Sequence, residues 1–274
     1  MTIKKMTIKK SSAIKKPAKE AAAPKGYLFP ELKPIEEWMD IPIYRIFPVG
    51  RFIQVLVSNK LTLVKPKKWD DPFENALLSS SYMVGNQKIV FAAKDSVYGQ
   101  CWTLHRETDA MWRIYSPNKD GVRLMTTPRK LLEAMKAQVG QSADTKCFIG
   151  KVWYLQKSKL LEIFGKINLL SPDGTGIAQS LLYKRPEFSH EREIRLIYAG
   201  DSNESASDIF SFEIDPNLLF DRILFDPRME ESLRKSYISA IKKIGCTVEV
   251  KRSRLYESPK ELKFNLGDND PFQH

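Results

Sequence analysis

Glu191-Arg192-Glu193-Ile194-Arg195-Leu196-Ile197-Tyr198 alternates apolar and polar residues in the manner of a β-strand. Successive side chains of a strand point to opposite faces. Ile194, Leu196 and Tyr198 therefore share one face and suit a core. Glu191, Glu193, Arg195 and Ile197 share the other, which turns both carboxylates toward one cleft. Val97-Tyr98-Gly99-Gln100-Cys101-Trp102-Thr103-Leu104 is apolar enough to be a buried strand. Outward from these two, shorter strands are expected at residues 43–47, 61–64, 122–125, 148–155, 209–214, 222–225 and 247–251. Helices are expected at 30–39, 52–57, 158–184 with a break at Ser171-Pro172-Asp173-Gly174, and 230–244. Thr108 can cap a further helix through Tyr115. Thr127-Pro128 opens another through Gln138, with proline in its first turn. The elements do not form a regular βαβ series. Neither a GxGxxG nor a GxxxxGK[ST] fingerprint is present, so a Rossmann or P-loop nucleotide site is not supported. The expected fold class is α+β: a split, mostly antiparallel sheet with flanking helices.

The chain has 274 residues and a formal charge of +11. Residues 1–25 hold eight lysines against Glu20 alone, so the excess sits mainly in this segment and not on the folded surface. The segment reads as a disordered Lys-rich tail, residues 26–256 as one domain, and 257–274 as a C-terminal tail. The tail is either a solubilising leader or a contact for nucleic acid through charge alone. Cys101, Cys147 and Cys246 are odd in number and form no CxxC pair. Together with the lack of a signal peptide, they imply a reducing, cytoplasmic compartment. No run approaches the ~18 apolar residues of a membrane span. With three histidines, His105, His190 and His274, and no ligand spacing, no metal site is expected.

Several motifs recur in a recognisable order. They are Ile43-Tyr44-Arg45-Ile46, Trp69-Asp70-Asp71-Pro72-Phe73-Glu74, Cys101-Trp102-Thr103, Met111-Trp112-Arg113-Ile114-Tyr115, Gly121-Val122-Arg123-Leu124 and the strand quoted first. Over residues 43–225 this resembles the bacterial family known as "domain of unknown function 2971". The pattern departs from the family at Asp70, where asparagine is usual, and at Phe188, where a tryptophan is expected. The resemblance implies an accessory or phage-defence role in bacteria, of the toxin or effector kind.

Within that frame, Arg45, then Thr103, then Glu191-x-Glu193 resembles the arginine, serine-threonine-serine, glutamate order of one class of mono-ADP-ribosyltransferases. The resemblance implies NAD as cosubstrate and a protein or nucleic-acid acceptor. Arg45 would hold a phosphate or ribose bidentately, with Tyr44 or Trp102 stacking on a ring and Thr103 steadying the site. Cleaving the nicotinamide bond builds an oxocarbenium-like cation, which Glu193 would stabilise. Glu191 would take the acceptor's proton. Asp71, Glu74, Trp112, Tyr115 and Arg195 are further candidates for lining the substrate site.

Each assignment has a plainer counterpart. Glu191-Arg192-Glu193 with Arg195 also reads as a solvent-facing charged ladder, or as a Glu193–Arg195 pair. Asp70 and Asp71 suit the capping of a proline turn. Met111, Trp112 and Tyr115 have the helical spacing of core residues. His190 beside Glu191 reads as a base or as a solvated loop histidine. Asp226, followed by Glu249-Val250-Lys251, offers a different chemistry, a Mg²⁺-dependent nuclease. A non-catalytic module that binds nucleic acid or a partner is the third alternative.

Overall fold

A computed structural model of the protein describes residues 25–29, 35–90, 92–201 and 206–259. The Lys-rich segment 1–24, the chain beyond residue 259 and the first half of the expected 30–39 helix lie outside the described residues. Fourteen strands are described: β1 (Tyr27–Leu28), β2 (Ile43–Pro48), β3 (Lys60–Val64), β4 (Ser81–Val84), β5 (Gln87–Val90), β6 (Val97–Thr103), β7 (Gly121–Thr126), β8 (Cys147–Lys151), β9 (Trp153–Tyr154), β10 (Tyr183–Lys184), β11 (Glu193–Ala199), β12 (Ile209–Glu213), β13 (Arg222–Phe225) and β14 (Val250–Lys251). The main sheet runs β1-β8-β11-β6-β2-β7-β13-β14, with β3 and β12 branching from β6. Its long pairings are antiparallel, and only the short β1–β8 and β13–β14 pairs are parallel. The fold is the expected mixture of helices and a mostly antiparallel sheet.

The branch at β6 is the feature that matters for the site. β6 pairs in full with β11 on one side. On its other side it meets β3 at Val64↔Gly99 and β2 at Tyr44↔Thr103. Between those points Gln100, Cys101 and Trp102 have no neighbouring strand on that side, and the sheet splits. Buried backbone groups need partners, and side chains supply them here. The Arg45 guanidinium donates to the Cys101 carbonyl. Gln100 bridges to the Thr62 carbonyl at 2.9 Å and receives the Trp102 indole N–H at 2.8 Å.

β11 is buried along its whole length. Ile194, Leu196 and Tyr198 enter the larger core, with Phe52, Trp102 and Leu131. Ile197, on the opposite face, enters a second core with Phe148, Leu181 and Leu182. The charged face of β11 is thus covered, by Trp69 and Glu74 from one segment and Leu181 and Lys184 from another, and is no solvent-facing ladder: Arg195 is 0% exposed.

Helix caps form where the sequence places them. Thr108 accepts from the Met111 N–H at 3.2 Å, and Thr127 from that of Lys130 at 3.3 Å; the helices run over Asp109–Tyr115 and Pro128–Val139. Three expectations are corrected. The 148–155 strand breaks at Val152, whose N–H donates to Glu193, after which Trp153 donates to Leu182 and the chain pairs with β10. The 158–184 helical region consists of Lys157–Phe164 and Thr175–Ser180 and ends in a strand, β10. The last strand covers only Val250–Lys251. The β4–β5 hairpin has no counterpart in the sequence reading. No helix among the described residues is long and apolar enough to cross a membrane.

Candidate functional site

A cavity of about 310 Å³ opens at the split in the sheet. β2 contributes Tyr44 and Arg45, and β6 contributes Gly99 through Thr103. Glu191 and Glu193 close it from the β11 side, and Lys184, Asp71, Glu74, Trp69, Tyr115 and Phe188 complete the lining. The register fixes the geometry: Tyr44 lies opposite Thr103, and Thr103 opposite Glu193, across three consecutive strands.

The floor is a network of five buried charges. Lys184 Nζ stands among three carboxylates, 2.5 Å from Glu191 Oε2, 2.8 Å from Glu193 Oε1 and 3.1 Å from Glu74 Oε1. Arg195 holds the far side, with Nε 2.7 Å from Glu193 Oε2 and a second nitrogen paired with Glu74. Its remaining donor reaches the Leu181 carbonyl at 2.7 Å. The Trp69 ring lies under the Arg195 guanidinium, 4.5 Å from centroid to carbon. Trp69 fits there because residue 99 is glycine: a Cβ at Gly99 would sit 2.6 Å from the indole ring.

The Asp71-Pro72-Phe73-Glu74 motif now has a physical reason. Asp71 Oδ1 accepts from the Phe73 N–H at 3.0 Å and caps a short 3₁₀ turn that starts at Pro72. That turn delivers Glu74 to Lys184 and Arg195. Asp71 itself is 3% exposed and paired with Arg185 at 3.0 Å, so it acts as both cap and ion-pair partner. Asp70 is exposed on the rim.

Glu191 and Glu193 do converge, but not by strand alternation. Glu191 ends a 3₁₀ turn, and Arg192 between them is left-handed, φ 44°. The turn is fastened by Thr103, whose hydroxyl donates to the Glu191 carbonyl at 2.6 Å and accepts from the His105 N–H at 3.0 Å. Thr103 is therefore fully used in holding backbone. The two carboxyl groups titrate apart. Burial, aided by a hydrogen bond and charge repulsion from Glu193, pushes Glu191 up to about 7. Burial also works to raise Glu193, but Arg195, the shared hydrogen bond with Glu191 and Lys184 outweigh it and hold Glu193 well below the usual carboxylate range. Burial alone would pull the Lys184 ammonium down; Glu193, Glu191 and Glu74 keep it charged, above its ordinary value. Tyr115 adds a hydroxyl donated to Glu191 Oε1 at 2.9 Å.

Arg45 faces this network from β2. Burial works against its charge, and Cys101, Tyr115 and Glu193 support it. Its Nε is buried without a hydrogen-bond partner. Burial, followed by repulsion from Glu193, pushes the Cys101 thiol up to about 12, which removes it as a nucleophile at neutral pH.

The cavity thus gathers Tyr44, Arg45, Trp102, Thr103, Asp71, Glu74, Tyr115, Glu191 and Glu193 of the residues singled out in the sequence. Two stand behind it. Arg195 orients Glu193 and Glu74 from the core side. Trp112 is fully buried and donates its indole N–H to Glu107 at 3.0 Å. His190 is exposed, with Nδ1 3.2 Å from the Glu187 carbonyl. Lys184, the centre of the network, was missed because it lay at the end of an expected helix. Pro186 carried the available signal, since a residue before proline is driven to extended backbone and β10 ends one residue before that. Asp226 is buried with both carboxylate oxygens held by Arg228, whereas Glu249 is exposed and paired with Lys251. Among the described residues no group of three or more His, Cys, Asp or Glu is placed to hold a metal.

A model of the family described as "Protein of unknown function (DUF2971)" matches residues 111–196. The chain resembles that family, over a stretch shorter than 43–225 that includes Met111-Trp112 and Glu193 but not Arg45 or Glu74. No curated protein matches. Among solved structures, DarT of Thermus sp. 2.9 in complex with ADP-ribosylated ssDNA is similar at 13% identity and a TM-score of 0.38, covering 78% of this chain and 95% of that one. The same DarT in complex with carba-NAD+ is similar at 11% identity and a TM-score of 0.36, covering 79% and 96%. Its NAD+ complex gives 13%, 0.36, 78% and 96%. These likenesses are distant, and the roles assigned below rest on the geometry of the cavity.

Proposed function

We propose that the cavity at the sheet split binds NAD and transfers its ADP-ribosyl group to an acceptor. One observation carries the reading. Arg45, Thr103 and Glu193, from three strands far apart in sequence, come together at a single cavity, with Arg45 on one wall and a low-pKa carboxylate on the other. A structure with Arg45 and Glu193 on opposite sides of the domain would have ended it.

The cavity is at the small end of ligand pockets and suits the nicotinamide-riboside half of the dinucleotide. Tyr44 and Trp69 offer aromatic faces for the ring. The unpartnered Nε of Arg45 is a buried donor in need of an anion, and a phosphate or ribose oxygen meets that need. Glu193 is ionised at neutral pH and cannot turn away, because Lys184 and Arg195 hold one oxygen each. A fixed carboxylate beside the ribose stabilises the positive charge that develops at the anomeric carbon. In the transfer, the acceptor's nucleophilic atom bonds to that carbon as the glycosidic C–N bond breaks. The bonding pair leaves with nicotinamide, which departs neutral. The acceptor's proton passes to Glu191, whose carboxyl is tuned near neutrality for this task. Thr103, Arg195 and Lys184 are positioning residues. The setting proposed is that of a bacterial effector, as the family resemblance implies.

The test incubates the purified protein with adenylate-labelled NAD and cell lysate. Label appears on a macromolecule with the wild type and not with Glu193→Gln. Equal labelling by both proteins, or none by either while the wild type stays folded, removes the transferase reading.

A further inference from the structure

On the other side of Tyr44 lies a groove of about 750 Å³, bordered by Arg106, Arg123, Arg222, Lys251, Arg252 and Arg254. Only Glu107 and Glu257 among its lining residues are acidic. We infer that this groove binds the phosphodiester backbone of a single-stranded polynucleotide, with Arg123 as its deepest phosphate contact.

Arg123 carries the inference. It is 5% exposed, and both its Nε and one terminal nitrogen are buried without a hydrogen-bond partner. Burial works against its charge, Glu107 supports it, and arginine does not give up its proton in proteins. Glu107 does not bond to it: its Oε1 is taken by Trp112 at 3.0 Å and Ser253 at 2.6 Å. A buried guanidinium with free donors is costly for folding. An anion entering the groove supplies what the chain does not.

The surrounding charges favour a polyanion over a single phosphate. Lys251 and Arg222 pair with exposed Glu249, and Arg254 with exposed Glu257 at 3.7 Å. Such exposed pairs are weak and exchange readily. Arg252 and Arg254 are exposed along the groove mouth, so successive phosphates meet successive cations. Arg123 lines the groove at 5% exposure, a depth that suits a flexible single strand better than a duplex. The Arg123 guanidinium lies over the Tyr44 ring, 4.6 Å from its centroid, and Tyr44 lines the candidate catalytic cavity. A strand held here lies beside the ring that lines the candidate catalytic cavity, two strands from Glu193. Naming that strand the acceptor rests on the transferase reading; the binding itself does not.

The experiment is fluorescence anisotropy of a short labelled oligothymidylate with the full chain and no NAD, across a salt series. Residues 1–25 contribute equally to every variant, so the ratio to wild type isolates the groove. Arg123→Met and Arg252→Glu are each expected to weaken binding about tenfold or more, the scale of one charged hydrogen bond, and to flatten the salt dependence. Lys159→Glu, a charge reversal on the remote 157–164 helix, changes it little. Arg123→Met is expected to melt no lower than wild type, because an unmatched buried charge is replaced by an apolar side chain. If Arg123→Met does unfold, the exposed Arg252→Glu decides alone. Wild-type affinity in both groove variants, or an equal loss in Lys159→Glu, overturns the inference. Displacement of the oligonucleotide by NAD, with NAD binding lost in Arg123→Met, overturns it too and gives the groove to the dinucleotide's diphosphate.

Discussion

Lys184 Nζ lies 2.8 Å from Glu193 Oε1, and both side chains are almost wholly withdrawn from solvent. The ammonium also serves Glu191 and Glu74, so one cation joins three carboxylates from β11 and two turns, two of which Arg195 pairs with as well. Removing one partner of a buried ion pair leaves a charge uncompensated and costs about 3–5 kcal/mol. Lys184→Met is expected to lose stability on that scale in urea unfolding. Adding Glu74→Gln to Lys184→Met restores part of the loss, since it removes a stranded charge. Additive losses in the double variant would refute the coupling.

Glu191 gives the protein a pH signature. Its folded-state carboxyl sits at about 7, above the ordinary value of 4.5. For a raised carboxylate, the contribution to stability is fully present below the unfolded value and is lost as pH rises through the folded one. Stability from this group therefore declines between about pH 4.5 and 7, and Glu191→Gln flattens that part of the profile. Turnover of NAD follows the opposite course, rising through about pH 7 as Glu191 becomes a carboxylate able to accept a proton. A wild-type rate profile flat across that range would exclude Glu191 as the base.

Gly99 is expected to be intolerant of even one carbon. A Cβ there meets the Trp69 ring at 2.6 Å, and Trp69 supports Arg195. Overpacking of this kind costs about 1–3 kcal/mol. Gly99→Ala should therefore lower the melting temperature and, by shifting Arg195, lower NAD turnover. A variant of unchanged stability would show that Trp69 moves aside freely.

Cys101 lines the cavity with its thiol pushed up to about 12. Native protein at mildly alkaline pH is expected to resist thiol reagents at this position, and Cys101→Ala to retain NAD turnover. Rapid modification that abolishes activity would point to a thiolate nucleophile instead.

The strands of this fold were legible where the local pattern was strong. Glu193–Ala199 and Val97–Thr103 read directly from apolar content and alternation. Thr108 and Thr127 gave the starts of two helices because a cap is a local device. What could not be read is the branch of the sheet at Gly99–Thr103, since strand order is set by contacts between residues far apart in sequence. Lys184 escaped for the same reason: a lone lysine after Leu181-Leu182-Tyr183 becomes a buried cation only once Glu74, Glu191 and Glu193 surround it. The convergence of Glu191 and Glu193 was anticipated on the wrong mechanism. A left-handed Arg192, not a continuous strand, brings the two carboxylates together. The burial of Arg195 depends on Trp69, Glu74 and Leu181 closing over β11, which alternation within the strand does not reveal.

The most direct test of the division of labour in the cavity is to measure NAD binding by calorimetry and nicotinamide release side by side in wild type, Glu193→Gln and Arg45→Met. Glu193→Gln is expected still to bind NAD but to release nicotinamide about 10²–10³-fold more slowly, the scale of losing one fixed electrostatic contact to a transition state. Arg45→Met is expected to lose binding first. Undiminished nicotinamide release by folded Glu193→Gln, or NAD binding untouched in Arg45→Met, would refute these roles.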